Sequence, residues 1–131
     1  MMASANEILF VSRDHPDDET RRLLESRGFQ MTMLDDVTKA SQSINERRLS
    51  AIVLDVRIGS DAIDFIQSIR GDEYPRQLPV LAIGEWGTGE PTLALSAGAD
   101  GFEPTPLQPE RLLTSIERLI MKRGLAAGAN D

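Results

Sequence analysis

The stretch Ala51-Ile52-Val53-Leu54-Asp55-Val56-Arg57 decides the reading of this chain. Four apolar residues in a row, two of them β-branched, suit a strand buried on both faces, as in a parallel sheet. A carboxylate follows at the strand's exit. Working outward, similar runs recur at Ile8–Val11, Met31–Leu34 and Val80–Ile83, with a weaker one at Gly101-Phe102. Helical periods lie between them. Pro16 suits a first turn, with Thr20, Leu23 and Leu24 on one face and Gly28 as a stop. Val37, Ala40 and Ile44 share a second face. Ser60 suits the cap of a third helix with Ile63, Ile66 and Ile69 inside, closed by Gly71. Pro91 opens a short fourth helix, stopped by Gly98. Pro109 opens a fifth, with Leu112, Leu113, Ile116, Leu119 and Ile120 inward.

Five strand–helix pairs predict an α/β domain, a (βα)5 doubly wound parallel sheet with helices on both faces. The 131 residues fit one domain. We read 1–6 as a disordered N-terminus, 7–123 as the domain and 124–131 as a flexible tail or linker start. The formal charge of −7 disfavours a broad phosphate-binding footprint, hence direct nucleic-acid binding. The chain has no cysteine, which removes disulfides, thiolate metal sites and cysteine nucleophiles. Apolar runs are too short for a signal peptide or a spanning helix. A soluble, cytoplasmic protein without membrane partners is expected.

In such a sheet, ligands bind outside the carboxyl ends of the strands, where strand order reverses. With the order 2-1-3-4-5, the exits of strands one and three are neighbours, and Asp14 and Asp55 meet there. Two carboxylates in one cleft invite a hard cation such as Mg²⁺, which commonly takes one or two protein carboxylates and keeps several waters. An aspartate beside it can act as a nucleophile. The spacing alone equally suits a solvated strand end at Asp55 and a helix cap at Asp14. His15, the one histidine, reads as a solvated turn residue. Trp86, the one tryptophan, reads as packing against the fourth helix or as a loop anchor for a partner. Gly84, Gly87 and Gly89 lack the order and the lysine of a phosphate loop. Arg21-Arg22 and Arg47-Arg48 read as solvated helix faces.

Taken in order, Ile8-Leu9-Phe10-Val11 before an acidic turn ending in Pro16, Val53-Leu54-Asp55-Val56-Arg57, Leu78-Pro79-Val80-Leu81-Ala82, and Ala97-Gly98-Ala99-Asp100-Gly101-Phe102 before Pro106 resemble the receiver domain of two-component response regulators. The resemblance covers about residues 7 to 122. It implies a flavodoxin-like sheet, phosphorelay signal transduction and a histidine kinase or phosphotransfer protein as partner. It also implies a signalling role rather than an enzyme's, beyond self-catalysed aspartyl phosphorylation and dephosphorylation. By resemblance Asp55 is the phosphoacceptor, and Asp14, Asp55 and the backbone carbonyl of Arg57 hold Mg²⁺. Phe102 reports the phosphorylated state, and the fourth helix, fifth strand and fifth helix form a pairing face for a homodimer.

Three positions depart from the family's pattern. Arg13 stands where a second acid is usual, Gly84 where a hydroxyl follows strand four, and Thr105 where a lysine precedes the proline. The loop after Asp55 lacks a proline and is one residue short. Arg13 weakens Mg²⁺ binding, and it either bridges to Asp55 or points to solvent. Gly84 and Thr105 weaken the link from phosphate to the far surface. A phosphorylation-independent pseudo-receiver, acting as an interaction or dimerisation module, is therefore the alternative. A small flavin or nucleotide binder ranks third, because the loop from Arg13 to Pro16 lacks the amides and hydroxyls that cradle phosphate.

Overall fold

Each apolar run forms a strand, and the residues between them form the crossovers. The computed structural model describes residues 6–46, 48–71 and 78–129, without the side chains of 45, 46 and 123–129. In chain order these are β1 (Asn6–Val11), α1 (Asp18–Ser26), β2 (Phe29–Leu34), α2 (Val37–Glu46), β3 (Leu49–Asp55), a single 3₁₀ turn (Val56–Ile58), α3 (Ser60–Arg70), β4 (Val80–Gly84), α4 (Glu90–Ala97), β5 (Gly101–Pro104) and α5 (Pro109–Ala129). The strands make one parallel sheet in the order β2-β1-β3-β4-β5. The doubly wound (βα)5 architecture expected from the sequence is thus present.

Alternation along the central strands divides the core in two. Leu9, Val11, Ile52 and Leu54 face a cluster closed by Ile66 and Phe65 of α3, Ala40 of α2 and Ala94 of α4. Ile8, Phe10, Val53 and Ile83 face the other side, against Leu24 of α1 and Leu112, Ile116 and Leu119 of α5. Because these strands are covered on both faces, only their ends meet solvent. The register pairs Val11 with Leu54 and Asp55 with Ile83. It therefore sets Asp55 next to the β1 exit, between the second core cluster and water.

Several boundaries differ from the sequence reading. Asn6, assigned there to a disordered N-terminus, is the first residue of β1. Pro16 precedes α1 rather than sitting in its first turn, and Asp17 is the cap, accepting from the Thr20 N–H. Ser60 is the first helical residue of α3, so the cap position falls to Gly59, which has no side chain to donate or accept. Most notably, α5 continues through Gly124 to Ala129, where a flexible tail was expected. Leu125, Ala126 and Ala127 are strong helix formers, and no proline interrupts them; two glycines cost only about 1 kcal/mol each. Residues 1–5, 47, 72–77 and 130–131, Arg47 among them, lie outside the described residues.

Candidate functional site

Asp55 ends β3 with its side chain almost wholly enclosed, at 2% exposure. A buried carboxylate must find donors, and it finds four. One oxygen, Oδ1, accepts from the Arg57 backbone N–H at 2.9 Å and from Arg57 Nε at 2.9 Å. The other, Oδ2, accepts from the Ser12 hydroxyl at 2.7 Å and from Arg57 Nη2 at 2.7 Å. The backbone bond is an aspartate turn that caps the 3₁₀ turn and reverses the chain over its own start. That reversal carries the Arg57 side chain back onto Asp55. The planar guanidinium then matches the carboxylate with two N–H groups, a geometry lysine cannot supply.

The same Nη2 reaches Asp14 Oδ2 at 3.2 Å. A single guanidinium therefore joins the two acids that the sequence reading placed at the switch point. The two legs are unequal. The Asp55 leg is enclosed, whereas the Asp14 side chain is 77% exposed, where ion pairs contribute little. Burial pushes the Asp55 carboxyl up; the Arg57 fork, the Ser12 hydroxyl and the Arg57 N–H oppose it and hold it below its usual value. The Asp55 hydrogen bond raises Arg57 above its own usual value against the pull of burial.

Ser12 was not singled out from the sequence. Its signal was positional: the residue after Val11 lies beside the residue after Leu54, and a hydroxyl there meets a buried carboxylate. Ser12 Oγ also accepts from the Asp14 N–H at 3.0 Å, which orients the turn. Arg13, the next residue, is exposed. Of the two placements open to Arg13, the structure has the solvent-facing one, and the bridge to Asp55 comes from Arg57.

The remaining singled-out residues line the rim. Thr105 closes the sheet end rather than reaching Asp55: its N–H and hydroxyl both donate to the Gly84 carbonyl, at 2.7 and 3.1 Å. Gly84 is tightly enclosed, and a Cβ there would lie 2.7 Å from Glu90 Oε1, 3.0 Å from Val56 Cγ2 and 3.3 Å from Phe102 Cζ. Glu90 instead accepts from the Glu85 N–H at 3.0 Å and ties the loop back on itself. Trp86 is 63% exposed and tilts against the Phe102 ring at 5.5 Å between centroids. His15 is exposed. A cleft of about 500 Å³ opens over these strand ends, with Asp14, His15, Arg57, Glu85 and Thr105 on its walls.

As arranged, the donor set does not fit a divalent cation. Both Asp55 oxygens already accept from N–H or O–H groups, and a guanidinium stands between Asp55 and Asp14. Among the described residues, no three acidic or imidazole side chains converge on one point. Nor is any helix of the described residues long and apolar enough to cross a membrane.

No family model matches the chain. The response regulator MprA of Mycobacterium leprae is 31% identical over 120 residues, which cover 88% of this chain and 51% of that protein. The transcriptional regulatory protein FixJ of Bradyrhizobium diazoefficiens is 31% identical over 114 residues, 84% of this chain and 54% of that one. The chain spans about half the length of the curated relatives it matches. Among solved structures, the receiver domain of the sensor histidine kinase PA1611 from Pseudomonas aeruginosa superposes with a TM-score of 0.74 at 28% identity. That match covers 89% of this chain and 98% of that domain, which is described with a magnesium ion coordinated in its active-site cleft.

Proposed function

This chain is a receiver domain of the two-component response-regulator family, and on that premise we propose that it takes its signal at Asp55, as acceptor of a phosphoryl group from a histidine kinase or phosphotransfer protein. The position of Asp55 carries this reading. It is a carboxylate at the exit of a central strand, at the point where strand order reverses, under an open cleft. In the transfer, one Asp55 oxygen attacks the phosphorus of a phosphohistidine and the phosphorus–nitrogen bond breaks. The departing imidazole nitrogen takes up a proton, and an aspartyl phosphate remains. At least one oxygen has to be released from its present donors first. No step is assigned to Mg²⁺, because the cation position between Asp14 and Asp55 is filled by Arg57.

The Arg57 fork favours a second reading, in which Asp55 stays neutralised and the domain works as a phosphorylation-independent interaction module. Under either reading the domain is a signalling protein, and its working unit runs from β1 through α5, Asn6 to Ala129. Cytoplasmic placement fits the kinase partner. Leu93 and Leu95 of α4 are exposed, and with β5 and α5 they offer the pairing face for a homodimer. Incubation with the small phosphodonor phosphoramidate in Mg²⁺ buffer, read by intact mass, separates the two readings. A phosphoryl adduct that Asp55→Asn abolishes supports the first. No adduct on the folded wild-type chain leaves the second.

A further inference from the structure

We infer that the Arg57 guanidinium is this chain's built-in replacement for the divalent ion of the receiver cleft, so that Asp14 and Asp55 take up Mg²⁺ only when Arg57 is removed or displaced. The inference rests on the cleft being the receiver cation site. It does not require Asp55 to be phosphorylated.

A divalent ion shared by two carboxylates has three tasks: to neutralise them, to bridge them, and to fix their orientation. Arg57 performs each. It places a positive charge against Asp55 through two hydrogen bonds at 2.9 and 2.7 Å. Through Nη2 it bridges Asp55 to Asp14, which lies 43 positions before Arg57 in the chain. Its own N–H completes the orientation of Asp55 by holding Oδ1 at 2.9 Å. An incoming Mg²⁺ therefore meets occupied oxygen lone pairs and a fixed like charge a few ångströms away. A fixed charge of the same sign so close opposes a second cation, so it decides the affinity of such a site.

The replacement is built in by the short loop after Asp55. The 3₁₀ turn returns Arg57 over Asp55 within two residues, and Gly59, with φ of 124°, turns the chain away into α3. The Asp55 side of the bridge is thus local, and its other end meets Asp14 at the β1 exit. Arg13, also near the β1 exit, plays no part, because its side chain is exposed.

The test is a titration with Mg²⁺ alone, followed by amide NMR shifts, on the full chain. Wild type is expected to show no saturable shift at residues 14, 55 and 57 at millimolar Mg²⁺. Arg57→Ala is expected to bind saturably, at least about tenfold more tightly. Asp14→Asn in the Arg57→Ala background is expected to lose that gain. Arg57→Gln, which keeps the long polar stem, serves if the alanine variant does not fold. Saturable millimolar binding by wild type, or no gain in a folded Arg57 variant, overturns the inference. The two proposals fail separately. Phosphoryl uptake at Asp55 without a metal gain on removing Arg57 leaves the acceptor reading standing alone. A metal gain without phosphoryl uptake does the reverse.

Discussion

Asp55 faces four donors, and its contribution to stability follows from them. Its carboxyl titrates lower in the folded chain than the ordinary value of 3.8, because the fork and hydroxyl outweigh burial. The folded state therefore binds fewer protons there than the unfolded state as acid is added. Its stabilisation is fully present above the unfolded value and is lost as pH falls through the lower folded one. Asp55→Asn is expected to flatten this acid limb, so that its urea midpoint falls less than wild type's between about pH 5 and pH 2. Ser12→Ala removes a donor to a buried charge and is expected to cost about 1.5–3 kcal/mol, seen as a lower urea midpoint at unchanged slope. The position of Asp55 was legible in the sequence because a charge ending an apolar run has few places to go. The side chains around it were less so. Arg57 was assigned only a carbonyl, because its return over Asp55 depends on a turn conformation that residue spacing does not encode. Ser12 depended on strand register, which becomes definite only when β1 and β3 pair.

At the scale of elements, the β4–α4 connection is packed around a missing side chain. Gly84→Thr restores the hydroxyl usual in the family but sets its Cβ against Glu90, Val56 and Phe102. The expected cost is on the order of 1–3 kcal/mol. Glu90 is expected to leave the Glu85 N–H, with a shift in the emission of Trp86, which rests on Phe102. A second junction joins α3 to the sheet. Arg70 donates to the carbonyls of Gly98 and Leu78 at 2.8 and 2.9 Å and pairs with Asp100, which also accepts from the Val80 N–H. Arg70→Ala is expected to cost on the order of 3 kcal/mol in urea unfolding, because it removes a paired cation from an enclosed carboxylate and two donors from backbone carbonyls. Strands and helices could be read from apolar runs and periods. Their ends were harder to read. Ser60 and Asp17 are both able to cap, and only the local backbone selects which one does.

For the whole molecule, the two-sided core sets how damage propagates. Ile66 and Ile116 are fully buried on opposite sides of one sheet, in separate clusters. Each isoleucine-to-alanine change is expected to cost about 2–5 kcal/mol. The double variant should show nearly the sum of the two, with a single unfolding transition, because the residues share no partner yet one sheet carries both. The same sheet has two open sides, and they are not alike. On one side β5 is four residues long and contains Pro104, which cannot donate to a further strand. On the other, β2 is six residues long with neither proline nor charge, and Met31, Met33 and Leu34 are only half-buried. Adventitious strand addition therefore has a polarity in this protein: self-templated aggregation of partly opened chains would begin along β2, and a lysine introduced at Gln30 or Thr32 is where a gatekeeper charge would act.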